Sequence, residues 1–115
     1  MASPYVPDRG DVVWLDFDAQ AGHEQAGRRP ALVLSTAAYN ARSSLMVCCP
    51  VTSQVKGYPF EVPAATAAGS RLAGVVVLAD QVRSLDWRQR NASKMAAVTP
   101  QCVLAVGAKI KLLIP

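Results

Sequence analysis

Alternation of residue type near the N-terminus restricts the fold of this chain more than any other feature. In residues 11–18, Val13, Leu15 and Phe17 lie on one face, and Asp16 and Asp18 lie on the other. This period of two predicts a half-buried β-strand. Further short apolar runs bounded by turn residues predict strands at 31–35, 45–52, 58–62 and 74–80. The chain is therefore expected to be mainly β.

Helical signals are confined to two places. Residues 36–43 predict a turn of helix, and Thr99 with Pro100 predicts the capped start of a C-terminal helix. Its apolar stripe is expected to contain Val103, Val106, Ile110 and Leu113. Five or more strands closed by one C-terminal helix suggest a small β-barrel or a strongly coiled sheet.

The regions between these elements give weaker signals. Residues 20–29 and 63–73 are expected to be loops, whereas residues 81–90 fit neither the helical nor the strand period. Pro50 lies inside an apolar run and suggests an edge strand or a bulge there, because proline donates no ladder hydrogen bond.

Length and composition limit the chain to a few classes. Its 115 residues, of which 51% are hydrophobic and 17% charged, suit a single domain over 1–115 with a packed core. The longest uncharged run, residues 95–108, contains Pro100 and is too short to span a membrane. The N-terminus lacks the pattern of a signal peptide.

The cysteine pattern predicts neither disulfides nor a metal centre. The chain has three cysteines, of which Cys48 and Cys49 are neighbours in an apolar run that suits a core better than a nucleophile. This usage fits a reducing cytoplasm. With one histidine and no C-x-x-C motif, a zinc site would need scattered ligands. No cofactor is expected.

Charge is distributed unevenly along the chain. The formal net charge is +4 and the pI is about 9.3. Residues 1–24 are acidic, whereas residues 25–80 and 81–115 are basic. Clustered arginines in a basic chain suggest a polyanionic partner, RNA or DNA first.

Two kinds of segment could carry chemistry. Residues 22–30 hold two glycines, a histidine, a carboxylate, an amide and two arginines just before a hydrophobic strand. Taken alone, this loop suits a solvated hairpin with surface ion pairs better than an anion site, although arginine forks match phosphate oxygens. Polar residues also follow two strands: Thr52 and Ser53 with Lys56, and Asp80 and Gln81 with Arg83 and Arg88. A hydroxyl at a strand end usually serves a turn, but it can also donate to a phosphate.

RNA cleavage needs little from a protein. The substrate brings its own nucleophile, the 2′-hydroxyl, so a cation, a hydroxyl donor and a carboxylate or imidazole suffice without a metal. The chain has these groups. It lacks the glycine-rich phosphate loops of nucleotide-dependent enzymes.

Five segments, which together cover nearly the whole chain in order, resemble the MazF/PemK (Kid) toxins of bacterial toxin–antitoxin systems, especially the chromosomal MazF branch. They are YVPDRGDVVWLDFD at 5–18, GHEQAGRRP at 22–30, PVTSQVKGYPFEV at 50–62, LADQVRS at 78–84 and AKIKLLI at 108–114. The resemblance implies an SH3-like barrel, a homodimer and a metal-independent, sequence-specific endoribonuclease that leaves 2′,3′-cyclic phosphate and 5′-hydroxyl ends. It also implies a MazE-like antitoxin whose acidic tail occupies the RNA groove.

The resemblance assigns roles to individual residues. The family's catalytic arginine falls on Arg29, for proton transfer and charge stabilisation, and its catalytic threonine falls on Thr52, for donation to a phosphate oxygen or the leaving group. Glu24 is a candidate proton-handling group in the same loop. The plasmid branch uses a loop histidine and an aspartate preceded two positions earlier by arginine. Here Leu78 stands at that arginine position, which disfavours His23 and Asp80 as catalysts.

Further residues are expected to contact RNA. They are Gln25, Arg28, Ser53, Lys56, Asp80, Gln81, Arg83 and Arg88. Base choice would come from the loops at 22–29 and 52–58, because single-stranded bases are recognised by their edges and by stacking.

The main alternative is a noncatalytic toxin on the same barrel that binds DNA gyrase or nucleic acid. The gyrase-poisoning relatives of the CcdB kind act through a C-terminal Trp-Gly-Ile tail, whereas this chain ends in Leu-Leu-Ile-Pro. A metal hydrolase is a more distant alternative, which sensitivity to a chelator would distinguish.

Overall fold

The computed structural model describes residues 5–17, 27–66 and 72–115. These form seven strands and two α-helices. The strands are β1 (Asp11–Phe17), β2 (Gly27–Val33), β3 (Leu45–Thr52), β4 (Glu61–Pro63), β5 (Val76–Leu78), β6 (Arg83–Asp86) and β7 (Ser93–Ala97). The helices are α1 (Ala37–Ser43) and α2 (Pro100–Lys111), and a 3-10 turn covers Ala79–Gln81. The prediction of a mainly β chain with a C-terminal helix is confirmed.

The strands form one antiparallel, barrel-like sheet in the order β4-β5-β3-β2-β1-β7. β6 lies off this path and pairs with β3. β3 therefore has two partners along one side: β6 beside residues 45–48, and β5 beside residues 51–52. Such a change of partner bends the sheet and places β3 at its centre.

Both faces of the central strands are buried. One core cluster contains Val12, Leu32 and Cys49 and packs against Val106 of α2. The other contains Val13, Leu15, Ala31, Val33, Met46, Cys48, Leu85 and Trp87. Because successive side chains of a strand point to opposite faces, the adjacent cysteines of β3 enter different clusters. Their expected place in the core is confirmed.

α2 begins as its sequence predicts. The side chain of Thr99 accepts a hydrogen bond from the backbone N–H of Cys102 at 3.2 Å, and Pro100 occupies the first turn. Val106 is buried, and Ile110 is half-buried. Leu113 is 49% exposed because it lies beyond the helix end, so its predicted place in the apolar stripe is wrong.

Several predicted boundaries are wrong for physical reasons. The expected loop at 20–29 ends earlier than predicted, since residues 27–29 pair with 15–17 of β1. Of the strand expected at 58–62, only β4 forms, because residues 59–60 make a turn. β7 was not predicted, and the ambiguous region at 81–90 contains β6.

Pro50 lies in the central strand and not at a sheet edge. It pairs with Ala31 of β2 on one side. On its other side it lies between the residues paired with β6 and those paired with β5. The missing N–H of proline therefore coincides with the change of partner from β6 to β5, where Pro50 pairs with neither strand.

Candidate active site

Arg29 and Thr52 belong to the two strands that separate at one end of the sheet. The register of β2 with β3 runs from Val33 opposite Cys48 to Ala31 opposite Pro50. Continued by two residues, the same register places Arg29 opposite Thr52 on the same face of the sheet. The ladder ends before this position, so both side chains border the opening between the strands.

Two grooves meet at this opening. The larger, of about 760 Å³, is lined by Arg29 and Thr52 together with Trp14, Ser53 and Gln54, among others. The smaller, of about 400 Å³, is lined by the same arginine and threonine together with Phe17, Leu78, Gln81 and Arg83, among others. The two grooves therefore share one wall, which contains the polar side chains of Arg29 and Thr52 together with Pro30 and Val51.

The hydroxyl of Thr52 has a defined orientation. Its oxygen accepts a hydrogen bond from the backbone N–H of Gln54 at 3.1 Å. It thus serves the turn after β3, as hydroxyls at strand ends usually do. Because the oxygen is the acceptor in this bond, the hydroxyl proton is the part that can be presented to a ligand.

Arg83 adds a second cation to the smaller groove. It lies opposite Cys48 in the pairing of β6 with β3, on the face that Arg29 and Thr52 share. Burial raises the pKa of the Cys48 thiol to about 11, although the charges of Arg83 and Arg90 act in the opposite direction. Burial also raises the pKa of Cys49 to about 12. Neither thiol is therefore a nucleophile at neutral pH.

Asp80 has a hydrogen-bond partner in the loop after β3. The Tyr58 hydroxyl donates to Asp80 Oδ1 at 2.8 Å, and this bond raises the pKa of the phenol. Glu61 accepts hydrogen bonds from the backbone N–H groups of Lys56 at 2.9 Å and Gly57 at 2.8 Å. Gly57 has φ of +85°, a conformation that suits glycine. Two carboxylates thus fix the loop at 53–60 beside the larger groove.

Tyr58 and Glu61 were not predicted as site residues. The sequence gives one partial signal, a glycine four residues before a glutamate, which is too common to identify a loop anchored by a carboxylate.

Two arginines that were expected to contact RNA have other partners. Arg28 Nη1 donates to Asp16 Oδ1 of the neighbouring strand β1 at 2.6 Å. The Arg88 guanidinium lies 4.4 Å from the centre of the Trp87 ring and donates to the Ala41 carbonyl at 3.0 Å. Arg88 borders a separate groove of about 410 Å³. Neither of these arginines lines the two grooves at Arg29 and Thr52.

The remaining predicted residues fall into two groups. Ser53 lines the larger groove and Gln81 the smaller one, whereas Lys56 is exposed in the anchored loop. His23, Glu24 and Gln25 lie outside the described residues. Within 5–17, 27–66 and 72–115, no group of three His, Cys, Asp or Glu side chains could hold a metal ion. Nor does any helix of the described chain have the length and apolar character needed to cross a membrane.

The fold is that of a class of bacterial toxins. The family model of the PemK-like, MazF-like toxins of type II toxin–antitoxin systems matches residues 8–114 of this chain. The chain therefore belongs to this family, and the resemblance seen in its sequence is confirmed.

Individual relatives agree with this assignment. The endoribonuclease toxin MazF of Escherichia coli K12 is 50% identical over 114 residues, which are 99% of each chain. The endoribonuclease PemK of E. coli is 36% identical over 102 residues, covering 84% of this chain and 73% of that protein. A crystal structure of MazE-MazF (Form-II) from Deinococcus radiodurans matches with a TM-score of 0.86 and 55% identity, covering 96% of each chain.

Proposed function

We propose that this endoribonuclease toxin cleaves single-stranded RNA at specific sequences without a metal ion. The 2′-oxygen attacks the adjacent phosphorus and the bond to the 5′-oxygen breaks, so the products carry a 2′,3′-cyclic phosphate and a 5′-hydroxyl. Cleavage of messenger RNA would inhibit translation and growth. The single observation that carries the proposal is the placement of Arg29 and Thr52 on the wall shared by two grooves.

The two side chains have complementary chemical roles. An arginine keeps its charge at neutral pH, so Arg29 suits the stabilisation of the negative phosphorane better than the removal of a proton. Thr52 donates its hydroxyl proton to a phosphate oxygen or assists the leaving 5′-oxygen. Glu24 is the proposed proton-handling group for the 2′-hydroxyl, and His23 has at most a minor role.

RNA would run along both grooves past this wall. Arg83 and Gln81 line the smaller groove, and Ser53 lines the larger one with the loop at 53–60 beside it. Single-stranded RNA offers phosphates to cations and base edges to polar groups. We assign phosphate contact to Arg83 and Lys56, and base recognition to Gln25, Ser53 and Gln81.

An acidic antitoxin tail would compete for the same surface. The related toxin of D. radiodurans was crystallised as MazE-MazF, and the net charge of +4 on this chain favours both an acidic peptide and RNA. We propose a MazE-like antitoxin as the cognate partner and a homodimer as the active form. The buried thiols suit a cytoplasmic location.

The test uses conservative variants of both residues in excess EDTA, with a long RNA of mixed sequence as substrate. Thr52→Val keeps the shape and removes the hydroxyl, whereas Thr52→Ser keeps the hydroxyl. Loss of one preorganised donor lowers the rate by ~10²–10³-fold, so the valine variant should lose that much and the serine variant far less. Arg29→Gln should lose at least as much. Arg42→Gln, on the exposed surface of α1, is the matched control and should leave the rate unchanged.

Each result decides between named alternatives. Discrete cuts with cyclic phosphate and 5′-hydroxyl ends, lost in Arg29→Gln and Thr52→Val, support the proposal and reveal the recognition sequence. Intact RNA from a folded dimer would refute it and favour the noncatalytic alternative, for which gyrase inhibition is the next assay. Cleavage that EDTA abolishes would indicate a metal hydrolase.

A further inference from the structure

The first half of β2 is held differently from its second half. Residues 31–32 pair with β3 on one side and β1 on the other, whereas residues 27–30 pair with β1 alone in these ladders. Arg29 lies in this half, beyond the end of the ladder with β3. Side-chain contacts from this half to neighbouring elements therefore add to the β1 ladder in fixing the start of β2.

Arg28 supplies contacts of this kind. Its Nη2 donates to the Asn91 carbonyl at 2.8 Å, to Ser93 Oγ at 2.7 Å and to the Trp14 carbonyl at 3.3 Å. Its Nη1 forms the ion pair with Asp16. The guanidinium therefore joins β2 to β1, to the turn before β7 and to β7 itself.

Asp16 completes the network from the opposite strand. Its Oδ2 accepts a hydrogen bond from Asn91 Nδ2 at 2.8 Å, and its backbone exchanges hydrogen bonds with Arg90. The bonds from Asn91 and Arg28 lower the pKa of the Asp16 carboxyl. Asn91 has φ of +52°, so the turn that presents its carbonyl to Arg28 has a conformation rare for residues other than glycine.

We propose that Arg28 is a positioning residue, which fixes the start of β2 so that Arg29 is held at the reacting phosphate. This inference rests on the proposed function of Arg29. Because neighbouring residues of a strand point to opposite faces, the Arg28 and Arg29 side chains leave β2 in opposite directions, so Arg28 can bind the network while Arg29 lines the grooves. This role replaces the RNA contact that the sequence suggested for Arg28.

Substitution of Arg28 by lysine and by glutamine distinguishes a positioning role from a contact with an RNA phosphate. Lysine keeps the positive charge but not the planar fork that reaches several acceptors at once. A phosphate contact would survive Arg28→Lys in large part. A positioning role predicts instead that Arg28→Lys and Arg28→Gln both lower kcat by about tenfold with little change in KM, since a displacement of 1 Å can cost ~10²-fold.

Salt dependence gives an independent readout. Each phosphate contact to a single strand contributes about 0.7 to the slope of log(kcat/KM) against log salt. Arg83→Gln is the matched variant, because Arg83 is the proposed phosphate contact: its KM should rise and its slope should fall by about 0.7. Arg28→Gln should leave the slope at its wild-type value.

Asp16→Asn tests the same network with the opposite change in charge. Loss of a negative charge favours RNA binding, so a purely electrostatic role predicts an unchanged or lower KM and no loss of kcat. The positioning role predicts that Asp16→Asn lowers kcat. It also predicts that the double variant of Asp16→Asn with Arg28→Gln is no slower than the slower of the two single variants, because both changes break the same network.

The outcomes separate this inference from the proposed function. A raised KM and a smaller salt slope in Arg28→Gln, with kcat retained, would overturn the positioning role and leave the chemistry of Arg29 intact. Full activity of Arg29→Gln would overturn the proposed function itself. Denaturant unfolding of each variant confirms that it is folded at the assay temperature, and Asp16→Asn decides the question if Arg28→Gln does not fold.

Discussion

Asn40 is a buried polar side chain whose replacement should greatly destabilise the protein. It is fully buried in α1. Its Nδ2 donates to the Pro7 carbonyl at 2.7 Å and to the Ser35 carbonyl at 3.1 Å, and its Oδ1 accepts from the Ser35 hydroxyl at 2.6 Å. Ser35 Oγ in turn accepts from the backbone N–H of Val47 in β3 at 2.8 Å. One amide thus joins the N-terminal segment, the helix and the central strand.

The cost of Asn40→Ala follows from these bonds. Pro7 is buried, so its carbonyl would lose its partner without access to water, at about 2 kcal/mol. The two bonds with the partly buried Ser35 contribute about 1 kcal/mol more together. The free energy of unfolding should therefore fall by about 3 kcal/mol, a large part of the ~5–15 kcal/mol that domains have.

Equilibrium urea unfolding of wild type and Asn40→Ala at one protein concentration measures this loss. Trp87 is a suitable fluorescent reporter, because its indole donates to the backbone carbonyl of Asn40, which the substitution retains. Arg42→Ala, on the exposed face of the same helix, should change stability by less than about 0.5 kcal/mol. A loss below about 1 kcal/mol in Asn40→Ala, with an unchanged slope against urea, would refute the reasoning.

Three further predictions concern other parts of the fold. A backbone hydrogen bond from Gln89 lowers the pKa of the Asp86 carboxyl below its ordinary value of 3.8. The contribution of this carboxylate to the free energy of unfolding is therefore complete above pH 3.8 and is lost as the pH falls below that value. Asp86→Asn should accordingly flatten the acid limb of a stability–pH curve. Cys48 and Cys49, with pKa values of about 11 and 12, should react with a thiol reagent only after unfolding, and rapid reaction of the native protein at pH 8 would contradict their burial. Thr99→Ala should lower the free energy of unfolding by about 1 kcal/mol through loss of the cap, whereas Thr99→Ser should be nearly neutral in the same measurement.

Local sequence patterns predicted the strands and helices whose residue spacing matches their burial in the folded chain. The alternation at β1 and the cap of α2 are examples, since each depends on neighbours in the sequence. The length of β2 could not be predicted, because the residue types of Gly27, Arg28 and Arg29 are typical of a loop. They form a strand because β1 pairs with them, which a local sequence pattern does not show. β7 contains a serine, a lysine and two alanines, and it forms because β1 offers an open ladder beside it.

The candidate site was predictable in part. The family motifs predict Arg29 and Thr52 as site residues, and the register of β2 with β3 explains why residues so far apart in sequence share one face. The partners of Arg28 could not be foreseen, because Asn91 and Ser93 approach it only through the turn before β7. Charge patterning identifies a basic chain, but it does not distinguish an arginine that binds RNA from one that binds its own backbone.

β3 pairs with β6 along its first half and with β5 along its second half, and this arrangement has a consequence for how such a toxin can diverge in evolution. Thr52 is held by the small unit of β3, β5 and β4, whereas Arg29 is held by β1. The two proposed catalytic groups thus belong to separately supported halves that meet at one strand. Under the proposed function, substitutions in the loop at 53–60 would alter which bases fit one half while the cation of the other half stays in place. Sequence preference can therefore drift between relatives without the chemistry having to be rebuilt.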